Sequence, residues 1–344
     1  MLNVPSLDLL RCPSCRGGQL LVAENGLVCG TCERSAQHVE GTLDLRLDPD
    51  QDSALDVDSY DEAHDVDADQ ARGLFDVYNI GFQLARVGQA GGRVLEIDSG
   101  TGNLTLAMAR YSQYSEIHCS DISLRFMRAM ETKLDKSDRT KLFKYLFDAN
   151  SFPFQGAQFD AVVGNSILHH LIDFENTLAE CQRVLKPGGV AVFGEPMIET
   201  NALVYLAAAQ VLAVDAMLDE PRLDSRTRHI MKTVSEIGGQ KMRNLLERDA
   251  KTEALEDKFI FPKEHMRETA RQLGFADYFV VEYAPVNDIA GIIVREFRRI
   301  IGPTKADLDA VLSYQSLFSA FNQSYLPTMG PFVGQTFALN VFIR

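Results

Sequence analysis

From about residue 93 onward, apolar and polar positions fall into strand-like runs separated by helical ones. Arg93-Val94-Leu95-Glu96-Ile97 is a nearly continuous apolar run, as expected of a parallel strand buried on both faces. The loop Asp98-Ser99-Gly100-Thr101-Gly102 follows, and then an Ala/Leu/Met-rich stretch, Leu104 to Ala109, of helical character. Glycines let a backbone turn tightly and approach a ligand closely. Further strand ends come in order: Glu116 to Asp121, then Phe147-Asp148-Ala149, then Phe159 to Ser166. Leu168-His169-His170-Leu171 and, after a helix, Arg183-Val184-Leu185-Lys186-Pro187-Gly188-Gly189 complete the series. The expectation is an α/β fold with a seven-stranded, doubly wound (Rossmann-like) sheet. In such sheets ligands sit beyond the carboxyl ends of the strands, and each polar landmark falls at one of those ends.

Further on, Pro262 to Leu273 reads as a last helix closed by Gly274, a residue suited to the left-handed C′ position. Tyr278 to Tyr283 and Gln335 to Ile343 read as closing strands. Two insertions of helical pattern interrupt this core, at about 197–261 and 286–333. They are expected to form a helical cap over a substrate, or else extra scaffold or a homodimer face. Arg222, Arg226, Arg228, Lys232, Arg295, Arg298 and Arg299 suit an anionic substrate handle if they converge, and solvated helix faces if they do not. Phe318, Phe321, Tyr325 and Phe332 would supply apolar walls. The low-charge run Asn201 to Leu218 contains Gln210 and Asp215. It falls short of the ~20 mostly apolar residues of a spanning helix, so no membrane segment is expected.

The amino-terminal part has a different pattern. Cys12-Pro13-Ser14-Cys15 and Cys29-Gly30-Thr31-Cys32 are paired Cys-x-x-Cys knuckles, each offering two thiolates to a tetrahedral ion. Between them Asn25-Gly26 predicts a two-residue hairpin turn with positive φ. Structural zinc is expected on Cys12, Cys15, Cys29 and Cys32; a rubredoxin-like iron site would use the same sulfurs. Disulfides would need an oxidising compartment, and the start of the chain reads as lacking a secretory leader, so the expected setting is cytoplasmic.

Charge adds one correction. The formal net charge over 344 residues is −14, but residues 48–69 hold ten acids and no Lys or Arg, leaving 38 acids against 34 Lys and Arg elsewhere. A like-charged segment repels itself and extends. The expected organisation is therefore a small zinc ribbon at 1–47, an acidic linker at 48–70 and the α/β domain at 71–344. Through Leu45 the ribbon has three bases, Arg11, Arg16 and Arg34, against five acids. It offers no phosphate-binding face, so nucleic acid is a disfavoured partner and a small molecule the favoured one.

Taken together, residues 75–196 resemble a class I S-adenosylmethionine (SAM)-dependent methyltransferase. The amino-terminal run, with Val39-Glu40-Gly41-Thr42-Leu43-Asp44-Leu45 at its end, looks like the zinc-ribbon domain known as an activator subunit of tRNA methyltransferases. It departs from that family at Ala36-Gln37-His38, where a Tyr-Pro pair is usual. The resemblance implies SAM as cofactor, bound by Glu96, Asp98, Ser99, Gly100 and Gly102, with Gly100 and Gly102 beside its methionine part. It implies Asp121 and Ile122 at the ribose, Asp148 and Ala149 at the adenine, and Asn165 and Ser166 at the sulfonium. A helix N-cap is the competing reading of Asp121. Asp98 stands where the family has Gly or Ala; its carboxylate would meet the cofactor's amino group or crowd the loop. A nicotinamide site would want a third glycine where Thr105 stands.

The function expected is methyl transfer from SAM to the oxygen or carbon of a small-molecule acceptor, with His169 and His170 as candidate bases. An RNA methyltransferase guided by the ribbon, and a protein that binds SAM without methylating, are the alternatives.

Overall fold

The computed structural model describes residues 6–53, 55–64, 66–281, 288–302, 307–324, 327 and 336–344. Tyr325 and Phe332, expected as apolar walls, lie outside the described residues. In chain order the elements are β1 (Leu20–Ala23), β2 (Gly26–Cys29), β3 (Ser35–Val39), β4 (Thr42–Asp44), α1 (Val57–His64), α2 (Ala68–Leu84), β5 (Arg93–Ile97), α3 (Asn103–Tyr111), β6 (Glu116–Asp121), α4 (Leu124–Lys133), β7 (Leu142–Leu146), β8 (Phe159–Asn165), α5 (Phe174–Val184) and β9 (Leu185–Pro196). Then come α6 (Ile198–Asp215), α7 (Ser225–Leu246), α8 (Ala250–Glu253), α9 (Lys263–Gln272), β10 (Asp277–Val281), α10 (Ile289–Ile301), α11 (Leu308–Leu312), α12 (Gln315–Ser324) and β11 (Phe337–Ile343).

Two compact units divide the chain. The first comprises Met1–Gly194, Arg267–Val281 and Leu339–Arg344; the second comprises Glu195–Met266 and Glu282–Ala338. The first is built on one sheet of order β1-β2-β3-β4-β7-β6-β5-β8-β9-β11-β10. Strands β7, β6, β5, β8 and β9 are mutually parallel neighbours, and β10 pairs antiparallel with β11. From β7 outward these seven strands form the doubly wound sheet, and the order reverses at β5, between β6 and β8. Its core holds Val94, Ile117, Leu146, Val163 and Val192 from the strands and Tyr78, Phe82, Ala107 and Met130 from the helices. Central strands buried on both faces explain the near-continuous apolar runs.

The ribbon does not stand apart. Its last strand, β4, pairs in parallel with β7 at Leu43↔Tyr145 and Asp44↔Leu146. The N–H of Leu45 continues the ladder to the Leu146 carbonyl at 2.8 Å. A second seam joins Leu10 to Phe154, and Arg11 donates to the Phe152 carbonyl at 3.2 Å and to Glu180 at 2.8 Å. The edge of β7, which would otherwise expose unpaired backbone groups, is thus paired within the chain.

Within the ribbon, the hairpin turn differs from the expectation. Ala23 pairs with Gly26, so Glu24 and Asn25 make the turn, and neither has a positive φ. Gly26 instead opens β2, where an added Cβ would lie 2.0 Å from the Ala36 carbonyl oxygen of β3. Glycine is needed there for close approach of the neighbouring strand.

The acidic stretch also carries structure: Val57–His64 is helical. The Tyr60 ring lies edge-on against Phe126 of α4, with centroids 5.3 Å apart. Arg125 bonds Asp52 at 3.0 Å and the Ser53 carbonyl, and Lys133 pairs with Asp61. Apolar contact and opposite charges on α4 outweigh the self-repulsion that predicts an extended segment. Asp67 and Gln70 then form a capping box that starts α2, the reciprocal pairing expected from Asp-x-x-Gln.

The second unit is helical, around Val204, Ala208, Val211, Met231, Ile293, Phe297 and Phe318. Buried Asp215 of α6 pins several segments. It accepts from the Tyr314 hydroxyl (2.6 Å), Arg228 (2.8 Å) and the backbone N–H groups of Arg222 (2.7 Å) and Leu223 (3.1 Å). Burial pushes its carboxyl up, but these hydrogen bonds outweigh burial and hold it at about 2. Among the described residues, no helix is long and apolar enough to cross a membrane.

Candidate functional site

The loop after β5 is shaped by its backbone. Gly100 and Gly102 have φ of +53° and +88°, the left-handed region that glycine enters without a steric cost. An added Cβ on Gly102 would lie 2.2 Å from Met130 Cγ, so glycine there also lets α4 pack against the loop. Asp98, the departure from the family, has φ of 55°. Asp tolerates this region better than most residues, which accounts for an acid at a position usually given to a small residue. Next to it Ser99 is buried, and its N–H donates to the Ser120 carbonyl at 2.8 Å.

The carboxylates differ in their surroundings. Asp121, at the end of β6, is buried; its Oδ2 accepts from Gly100 N–H and its Oδ1 from Ser123 N–H, both at 2.8 Å. It does not cap α4, because the Ser123 side chain does so by accepting from Phe126 N–H. Burial raises the Asp121 carboxyl to about 6, even though those backbone hydrogen bonds lower it. Glu96, inside β5, accepts from the Thr105 hydroxyl at 2.6 Å. Burial carries it to about 8, so near neutral pH it is largely a neutral acid. Asp148, just past β7, is half-buried and accepts from the backbone and side-chain N–H groups of Asn150 at 2.8 and 3.2 Å. Ala149 lies beside it and is likewise half-buried.

At the end of β8, Asn165 receives a hydrogen bond from the Tyr78 hydroxyl at 3.2 Å, and the Gly164 carbonyl receives one at 2.7 Å. Ser166 has φ of 63°. Leu168–His170 form a short 3-10 turn in which His169 is buried and His170 half-buried. Their ring centroids are 4.0 Å apart.

The structure therefore brings Glu96, Ser99, Gly100, Gly102, Asp121 and Ile122 together at the switch point, with Asp148 and Asn165 at the ends of flanking strands. Sequence reasoning missed four neighbours. Tyr78 and Tyr60 come from α2 and α1, and an added Cβ on Gly100 would lie 3.9 Å from Tyr60 Cε1. Lys133 donates to Thr101 Oγ1 at 3.2 Å and Asn103 Oδ1 at 3.5 Å. Arg46 of the ribbon donates to the Ile122 carbonyl at 3.2 Å. For Tyr60 a signal existed, an aromatic inside an acidic run; the others are long-range partners with no local signature.

In the ribbon, the sulfurs of Cys12, Cys15, Cys29 and Cys32 all lie within 4.8 Å of one another. Cys12–Cys32 and Cys15–Cys29 are each 3.6 Å apart. A tetrahedral ion with metal–sulfur bonds of ~2.3 Å wants sulfurs ~3.8 Å apart. Gly18 N–H donates to Cys15 Sγ at 3.2 Å and Thr31 N–H to Cys29 Sγ at 3.4 Å. Backbone N–H groups lower the Cys29 thiol to about 6. A Cβ on Gly18 would sit 2.1 Å from the Cys29 sulfur. The four thiols could hold a metal. Cys119 and Cys181 are buried in β6 and α5, away from this cluster.

The second unit contains a cavity of about 410 Å³. Val204, Ile230, Val234, Ile237 and Ile300 give it apolar walls, and Tyr205, His229, Lys241, Asp257, Glu296 and Arg299 give it polar ones. The expected anionic handle meets a different arrangement. Arg228 is paired with Asp215, Lys232 with Glu236, Lys241 with Asp257 and Arg299 with Glu296. Arg222 stacks over Tyr314, 5.1 Å from its ring centre. Most of the predicted bases are engaged within the unit rather than gathered on one wall.

This sheet order, with a glycine loop and carboxylates at the strand ends of its switch point, is the class I SAM-dependent methyltransferase fold. Residues 95–193 match the family described as a methyltransferase domain. Among curated proteins, the ubiquinone/menaquinone biosynthesis C-methyltransferase UbiE of Desulfotalea psychrophila is 31% identical over 125 residues, 36% of this chain and 50% of that protein. UbiE of Burkholderia mallei strain SAVP1 is 38% identical over 101 residues, 29% of this chain and 41% of that protein. The chain thus spans half or less of the length of these relatives. Among solved structures, a complex between the Haloferax volcanii Trm112 methyltransferase activator and a protein described as a methyltransferase aligns over 85% of this chain and 99% of that one. Its identity is 16% and its TM-score 0.42.

Proposed function

We propose that this protein transfers the methyl group of SAM to a small-molecule acceptor, at oxygen or carbon. The observation that carries this reading is the buried Asp121 carboxylate, oriented by Gly100 and Ser123 N–H groups beside a loop that turns at positive φ through Gly100 and Gly102. Each carboxylate oxygen has lone pairs beyond those the backbone uses, as a ribose diol requires. Asp148 suits the adenine amino group, and Asn165, fixed by Tyr78, suits the methionine end. The cofactor would supply an activated methyl on a sulfonium. The protein's task is then chiefly alignment, which can be worth ~7–11 kcal/mol. His169 and His170 are the candidate bases for an acceptor that must lose a proton.

The cavity within the second unit falls within the size range of small-molecule sites. Its paired charges favour a neutral or amphipathic ligand over a bare anion. For the ribbon we infer a structural zinc on Cys12, Cys15, Cys29 and Cys32, since four thiolates leave no open position for chemistry.

The test is incubation with SAM and, separately, a panel of small phenols and activated-carbon acids, and RNA, with detection of S-adenosylhomocysteine. Product with small molecules alone supports the reading. Product with RNA alone would transfer it to the ribbon-guided alternative, and SAM binding with no product in any arm would leave a binding protein.

A further inference from the structure

The peptide group between Ile122 and Ser123 is held at both ends. Its N–H donates to Asp121 Oδ1 at 2.8 Å, and its carbonyl accepts from Nη1 of Arg46 at 3.2 Å. A peptide unit is planar, so a group that fixes the carbonyl also fixes the direction of the N–H. Arg46 is only 8% exposed, and its fork is fully engaged. Nε and Nη2 bond the two carboxylate oxygens of Asp44 at 3.0 and 2.6 Å, and Nη1 also reaches the Gln51 carbonyl at 2.6 Å. Asp44 of β4 and Asp121 of β6 flank Leu146 of β7 in register from opposite sides. The guanidinium therefore reaches from the ribbon's last strand, past β7, to the turn that follows Asp121.

We propose that Arg46 is a positioning residue for the cofactor: through the Ile122–Ser123 peptide it orients the Asp121 carboxylate, so that the ribbon supplies part of the ribose site. Pairing of β4 with β7 carries the arginine to this height, and bidentate bonding to Asp44 holds the guanidinium plane as only a planar fork can. Arg46 touches no reacting atom; its effect passes through Asp121. The proposal rests on reading Asp121 as the ribose ligand.

The experiment is a double-mutant cycle on SAM affinity by titration calorimetry, with wild type, Arg46→Ala, Arg46→Lys, Asp121→Asn and the Arg46→Ala/Asp121→Asn pair. Metal content and melting are measured for each. Arg46→Ala is expected to raise the SAM dissociation constant about tenfold with metal content unchanged. Arg46→Lys should recover part of that loss. In the Asp121→Asn background the arginine change should have little further effect, because coupled residues are not additive. Equal losses in both backgrounds, or no loss from Arg46→Ala, would overturn the proposal while leaving the site reading intact. Unchanged affinity in Asp121→Asn alone would overturn the site reading, and the proposal with it. Should Arg46→Ala lose its metal or its cooperative melting, Arg46→Lys carries the same cycle.

Discussion

Gly100 N–H donates to Asp121 Oδ2 at 2.8 Å, tying the loop after β5 to the end of β6. One carboxylate thereby orders both the glycine loop and the turn into α4, and its own two oxygens are fixed in return. Asp121→Ala is expected to weaken SAM binding by ~1–3 kcal/mol, the scale of hydrogen bonds to a charged group. Titration calorimetry checks this, and unchanged affinity would mean that the cofactor lies elsewhere.

Glu96 makes stability depend on pH. Burial raises its carboxyl from 4.5 to about 8, so between those values the folded state holds a proton that the unfolded state has released. Stability should fall as pH rises through this window and level off above it. Asp121, raised to about 6, acts with the same sign but only at lower pH. Glu96→Gln should therefore flatten the slope of melting temperature between pH 6 and pH 8. A slope identical to wild type would show that Glu96 is ionised in the folded protein.

The four-cysteine cluster predicts about one metal ion per chain. Cys12→Ser should lower both metal content and melting temperature, because ion binding contributes to folding of so small a module. Cys119→Ser and Cys181→Ser should leave metal content unchanged. Elemental analysis of protein prepared without chelator decides between these outcomes.

His169 and His170 lie side by side at the turn after β8, their rings tilted 41° to one another. If either removes a proton from the acceptor, its alanine variant should lose ~10²-fold or more in turnover while keeping SAM affinity. Wild-type turnover in both variants would assign the pair to packing and point to an acceptor that needs no deprotonation.

Much of this molecule was legible in local pattern. The apolar runs ending in Asp121, Asp148 and Asn165 mark β6, β7 and β8 because a strand buried on both faces must be apolar along its length. The Cys-x-x-Cys spacing marks the cluster of sulfurs because one tight turn presents both thiols. At Asp98 the sequence showed only an acid in place of a small residue, and the structure adds that the backbone there has φ of 55°. Local pattern misled at Asn25-Gly26, where glycine answers a clash with Ala36 of β3 rather than the need of a turn. It misled again in the acidic stretch, where contacts of Tyr60, Asp61 and Asp52 with α4 support ordered backbone against like-charge repulsion.

What only the tertiary structure decided is how distant segments meet. Nothing local in Thr42–Asp44 says that it will pair with β7, because a strand's partner is chosen by long-range packing and by the edge left open. Arg46 and Ile122 are 76 residues apart, and Tyr78 and Asn165 are 87 apart. Their hydrogen bonds leave no periodicity or spacing to read in the chain. Composition and period determined which residues would be strand and which loop. The continuation of one sheet across the ribbon and the α/β core determined which of them brace one another.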